Sequence, residues 1–133
     1  MKKSTITAIF KADIKKVWEV VTNNSKYEWR SDLNKIDISV DGNSFTEYTK
    51  DNTPTKFNIT LKKPYERYEF DITNKNMNGH WSGVFSIANK NGTQIEFTEE
   101  VSVNNPIMNL FVGLYLKKQQ SLYIADLKKE LGE

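Results

Sequence analysis

The chain has 133 residues, a net charge of +2 and no cysteine. That length can bury one substantial core, and the missing cysteines exclude disulfides, thiolate metal sites and cysteine nucleophiles. Lysines are scattered among acids, so there is no nucleic-acid footprint. The N-terminus runs into alternating Thr and Ile instead of a signal-peptide apolar block. The longest nearly apolar stretch, Ile107 to Leu116, is too short to cross a bilayer and contains Asn109. The expectation is one cytoplasmic domain over residues 1–133, without integral membrane association, as a monomer or weak homodimer.

Ser4, Ile6, Ala8 and Phe10 alternate with Thr5, Thr7, Ile9 and Lys11, which predicts a strand from about Lys3 to Phe10. Asp13 is a good N-cap, and Ile14, Val17, Trp18 and Val21 follow at helical spacing. Thr22-Asn23-Asn24-Ser25 breaks that helix, and Lys26 to Asp32 reads as a short second helix or turn carrying Tyr27 and Trp29.

Strand patterns occupy Leu33 to Val103. Ile36, Ile38 and Val40 alternate up to an Asp41-Gly42-Asn43 turn. Phe45, Glu47 and Thr49 share a face, and Asp51 to Pro54 turns the chain again. Phe57, Ile59 and Leu61 predict the next strand, ended by Lys63-Pro64, and Tyr68, Phe70 and Ile72 the one after. Gly79, Trp81, Gly83, Phe85 and Ile87 lead to Asn91-Gly92, the strongest hairpin signal in the chain. Ile95, Phe97, Glu99, Val101 and Val103 then alternate with polar residues. Asn105 and Pro106 open a helix that runs to about Leu131. Its first half is apolar nearly all round and its second half amphipathic, with Ile124, Leu127 and Leu131 on one stripe. Gly113 in its interior points to a kink or a close backbone approach.

Strand, helix pair, six strands and long helix is the element order of the helix-grip fold. The segment Val17-Trp18 through Tyr27-Glu28-Trp29 resembles the opening of the SRPBCC superfamily. Gly79-His80-Trp81-Ser82-Gly83-Val84-Phe85 and Asn105-Pro106…Tyr115-Leu116…Leu127 resemble its bacterial polyketide cyclase/dehydrase-like branch. The resemblance spans essentially the whole chain. It implies an α+β fold: a curved antiparallel seven-stranded sheet around a long C-terminal helix, with two short helices after strand 1. It also implies a deep apolar pocket between sheet and helix. START lipid carriers, plant hormone receptors, aromatase/cyclases and pollen allergens share that pocket without sharing one reaction.

Several residues stand out as carriers of chemistry. Glu99 is in phase with Ile95, Phe97, Val101 and Val103, on the apolar face of its strand. A carboxylate there has a raised pKa and serves as a general acid/base or ligand anchor. Otherwise the strand bulges, or Glu99 pairs with a lysine or tyrosine. Glu47, in phase with Phe45, is a weaker second case. Arg30, after Trp29, either grips an anionic ligand head or forms a surface ion pair with Glu28 or Asp32. His80, the only histidine, falls on a polar face, which removes a Ser-His-Asp site or a multi-histidine metal centre. Gln120 shares the Leu116, Ile124 and Leu127 stripe and bonds either a ligand or a strand backbone. Phe45, Phe57, Phe70, Trp81, Phe85, Phe97, Phe111 and Tyr115 are candidate pocket lining, and each is also explained as ordinary core. No spacing calls for a metal or another cofactor.

The leading expectation is a pocket protein for a small hydrophobic or amphipathic molecule. The alternatives are a cyclase, aromatase or dehydratase-like enzyme using Glu99, Arg30 or Tyr115, and a stress-related interaction protein. The outward strand positions offer the last of these no evident apolar patch.

Overall fold

A computed structural model describes residues 1–133. The elements are β1 (Lys2–Phe10), α1 (Ile14–Thr22), β2 (Leu33–Ile38), β3 (Ser44–Thr49), β4 (Pro54–Lys63), β5 (Arg67–Thr73), β6 (Met77–Ile87), β7 (Thr93–Val103) and α2 (Pro106–Glu130). The seven strands form one antiparallel sheet in the order β1-β7-β6-β5-β4-β3-β2. Strands β2 to β7 follow one another as hairpins, and β1 pairs with β7 at the far edge. This is the helix-grip arrangement, with α2 packed along β1 and β7.

Both helices start where the side chains dictate. The Asp13 carboxylate accepts the Lys16 amide proton at 2.9 Å, and the Asn105 side chain accepts those of Ile107 and Met108. Each cap satisfies amides that the first helical turn leaves without partners. The expected second helix after strand 1 is absent. Residues 23–32 form successive turns, with i→i+3 bonds from Lys26 to Asn23, Arg30 to Tyr27 and Leu33 to Arg30. Isolated turns do not propagate, because nucleating a helix costs more than one bond returns. Asp126 on α2 pins the segment instead, accepting from both the amide and the hydroxyl of Ser31 at 2.8 Å.

The strand readings shift at three places. β2 ends at Ile38, and Val40 stands fully exposed in the turn, where Ser39 and Asp41 close a hydrogen-bonded loop around Gly42 (φ 75°). A register shift between Ile59 and Leu61 in β4 turns Leu61 outward. The last hairpin turns one residue earlier than Asn91-Gly92: Lys90 (φ 58°) and Asn91 (φ 62°) take the left-handed positions, while Gly92 is extended. Gly92 is needed for a different reason, since a Cβ there would lie 2.5 Å from the Phe10 carbonyl oxygen. Gly113 shows no such constraint. α2 runs through it, and a Cβ would meet no atom outside the helix.

The core lies on the concave face. Phe45, Phe57, Phe70, Trp81 and Phe97 form a row across β3 to β7, and Tyr123 of α2 closes it against Phe97 at 5.2 Å. Phe45 stacks on Phe57 (4.9 Å, 8°) and Phe70 on Trp81 (4.7 Å, 2°). Burying each such ring contributes about 1.5–3 kcal/mol. The convex face is polar. There His80 sits between Asp71 (2.7 Å) and Glu69 (2.8 Å), with both ring nitrogens on carboxylates, an arrangement that only the imidazolium satisfies. Desolvation opposes the charge, but the two carboxylate bonds outweigh it and raise the His80 pKa.

The tight approach at Gly92 can be checked directly. Gly92→Ala is expected to lower unfolding stability by about 1–3 kcal/mol through overpacking. Gly113→Ala, on the open side of α2, should be neutral or stabilising in the same denaturant titration.

Candidate functional site: an aromatic-floored cavity with an unpaired carboxylate

Between α2 and strands β3 to β7 of the sheet lies a cavity of about 660 Å³, within the range of small-ligand pockets. The aromatic row is its floor, and Tyr115, Leu116, Gln119, Gln120 and Tyr123 of α2 form its roof. One end reaches the exposed β3–β4 turn at Lys50 and Asp51, which opens it to solvent. Of the expected site residues, Arg30, Phe45, Glu47, Phe57, Phe70, Trp81, Phe97, Glu99, Tyr115 and Gln120 line this space.

Three expected residues do not. Trp29 is half-buried behind the roof, edge-on to Tyr123 at 5.3 Å. Phe85 is buried against Trp18 of α1 at 4.9 Å, on the far side of the row. Phe111 is 61% exposed and points away from the sheet. Only Val112 and Leu116 anchor the first half of α2, against Val101, Met77 and Val103. Ile107, Leu110, Phe111 and Leu114 therefore form an outward apolar stripe at i, i+3, i+4 and i+7. The outer surface thus carries an apolar patch after all, on the helix and not on the strands.

Arg30 is held deep in the site. Its Nε and Nη2 donate to both oxygens of Asp32 at 3.2 Å, and its Nη1 donates to Glu47 at 3.4 Å. Its guanidinium carbon lies 4.9 Å from the Tyr123 ring centroid and 5.8 Å from that of Trp29. Desolvation disfavours the charge, but Glu47 and Asp32 more than compensate, so Arg30 is firmly protonated. The pair with Asp32 is real, yet it lies in the cavity wall with Glu47 as a second acid, not at the surface. A guanidinium already shared by two carboxylates has little left for an anionic ligand.

Glu99 is the opposite case. The β1–β7 and β6–β7 registers run unbroken past it, so no bulge turns it away and it sits beside Trp81 on the concave face. It lines the cavity with no ion pair or hydrogen bond to another protein group. Desolvation, then the nearby Glu47, raise its pKa to about 7, against a smaller pull from Arg30. Desolvation likewise raises Glu47, Tyr115 and Tyr123. Gln120 is engaged elsewhere: it accepts from the Ser4 hydroxyl at 2.7 Å and donates to the Ser4 carbonyl at 2.9 Å, tying α2 to β1.

Tyr123, Asp32 and Tyr68 also line the cavity and were not among the expected residues. Tyr123 was legible in principle, since it lies seven residues after Leu116 and three after Gln120 on the same helical face. Tyr68 was legible too, being in phase with Phe70 on β5; Asp32 carries no such signal, and the loop after α1 brings it in.

No protein-family model matches the chain, and no curated protein matches it. Solved structures do. A conserved protein from Geobacillus kaustophilus superposes with a TM-score of 0.85 at 13% identity, covering 98% of this chain and 95% of that one. A START superfamily protein from Mycobacterium smegmatis gives 0.79 at 12% identity, covering 96% and 95%. The Zhui aromatase/cyclase from Streptomyces sp. R1128 gives 0.85 at 10% identity, covering 97% and 92%. The chain therefore has the helix-grip fold of the START and aromatase/cyclase structures. No helix is long and apolar enough to cross a membrane.

The raised Glu99 pKa has a thermodynamic sign. The folded state holds this proton up to about pH 7, whereas the unfolded chain releases it near 4.5. Stability attributable to Glu99 is thus complete below that lower value and is lost as pH rises through the higher one. Glu99→Gln should match the parent protein at acidic pH and exceed its stability by on the order of 3 kcal/mol above neutrality. Denaturant titrations of both proteins across this range measure it; a pH-independent difference would show that the pKa is not raised.

Proposed function

We propose that the chain acts as a single cytoplasmic helix-grip domain that binds a small hydrophobic or amphipathic molecule between α2 and the sheet. The observation that carries this reading is the cavity itself: about 660 Å³ over an aromatic floor, reached from the β3–β4 turn. A purely structural core of this size would fill such a space, because an interior void forfeits packing energy. Similarity in fold to a START superfamily protein and to an aromatase/cyclase is compatible with a carrier or an enzyme.

Native mass spectrometry of freshly purified protein tests the reading, followed by displacement of an environment-sensitive apolar dye. A reproducible adduct, or saturable dye binding, is expected. Gln119→Trp projects a large side chain from a half-buried roof position. It should weaken dye binding at least about tenfold while leaving the unfolding transition in place. A bare protein that binds no dye refutes the proposal.

Glu99 supports a second reading, a cyclase, aromatase or dehydratase-like enzyme. A carboxyl group with a pKa of about 7 in a cavity is poised to give and take protons near neutral pH. On this reading Glu99→Gln lowers turnover of an identified substrate by about 10²-fold or more; unchanged turnover removes Glu99 from proton transfer.

A further inference from the structure

We propose that the molecule held in the cavity is an amphipathic cation, an ammonium group on an apolar body, with the ammonium donating hydrogen bonds to Glu99. This inference rests on the binding reading and names the ligand class. Four acids line the cavity (Asp32, Glu47, Asp51 and Glu99) against two bases, Arg30 and Lys50. Arg30 is consumed by Asp32 and Glu47, so among the acids and bases of the wall Glu99 is the carboxylate left without a protein partner. The half-buried Glu99 carboxylate lines the cavity without a protein hydrogen-bond donor, and a carboxylate partly stripped of water in that way favours a proton or a cation. The acids do not converge into a set that could hold a metal ion.

The surroundings favour an organic cation. Trp81 is the cross-strand neighbour of Glu99, with Phe97, Tyr115 and Tyr123 lining the same space. Aromatic faces attract cations and also accommodate alkyl chains. The protein already shows this solution once, in the Arg30 guanidinium set against the Tyr123 ring between two carboxylates. Glu99 with its aromatic neighbours repeats the pattern without the cation.

Binding should follow the ionisation of Glu99. The groups facing it are Glu47 on β3, Arg30 in the loop after α1 and Tyr115 on α2. Its neighbours on β1 and β6, Ser4 and Trp81, do not titrate. Arg30 stays charged, and Tyr115, raised from its ordinary value, stays neutral. Glu47 is raised as well but is held by Arg30.

Decylammonium, decanol and decanoate, matched in their apolar chain, are titrated calorimetrically into the protein and into Glu99→Gln at about pH 5.5 and about pH 8.5. Decylammonium should bind best to the parent protein at the higher pH, at least about tenfold tighter than decanol. It should weaken by about 30-fold at the lower pH, where only a small fraction of Glu99 is ionised. Glu99→Gln should abolish both the preference and the pH dependence while still binding decanol. Equal binding of all three probes, or preference for decanoate, overturns the cationic ligand and leaves the cavity reading standing. Failure of all three to bind overturns both. The pH profile of the parent protein decides the matter even if the variant does not fold.

Discussion

A single helix cannot cover a seven-stranded sheet. The outer strand axes lie about 29 Å apart at the usual interstrand spacing, whereas a helix with its side chains is about 10–12 Å wide. α2 rests on β1 and β7, and α1 packs near β6, which leaves the ground over β3, β4 and β5 without a partner. Curvature of the sheet draws those strands toward α2, and the aromatic row fills the floor. The remainder is the cavity, which follows from the number of strands and the position of one helix.

That leftover space sets the electrostatics. Charges in the wall of a partly enclosed cavity lose much of their hydration, so each must find a partner or shift its pKa. Arg30 solves this for Asp32 and Glu47 at once. Glu99, on β7 and without a bond to the guanidinium, is left to hold its proton. The difference between these acids lies in geometry, since as isolated side chains Glu47 and Glu99 are alike. The same loop supplies Arg30 and Asp32, and α2 fixes that loop through Asp126 and Ser31. Helix position and cavity charge are therefore coupled.

The two halves of α2 divide the work. The second half carries Tyr123 and Leu127 into the main core, and Glu133 beyond it accepts the Lys11 and Ala12 amides, tying down the β1–α1 turn. The first half meets the sheet only through a narrow seam and exposes its outer stripe. Its residues are apolar on nearly every side, but the sheet supplies a surface for one side only.

Alternation in steps of two and the caps at Asp13 and Asn105 were enough to place the strands and both main helices, because those signals act between residues near in sequence. Glu99 was legible for the same reason: its phase within β7 put it on the apolar face, and the unbroken register kept it there. Four matters depended on distant contacts. The 23–32 segment became turns because Asp126 and the aromatic roof hold it. Leu61 faced outward because β4 slips against β5. Phe111 and Phe85 left the cavity because the seam of α2 and the α1 packing point them elsewhere. Arg30 took the ion pair with Asp32 that the sequence offered as one alternative, but inside the cavity wall and with a second carboxylate seventeen residues away on β3. Local backbone preference acts within a few residues and can be read from order alone; which charge is satisfied and which is left bare is decided by long-range packing, and only the tertiary structure brings those groups together.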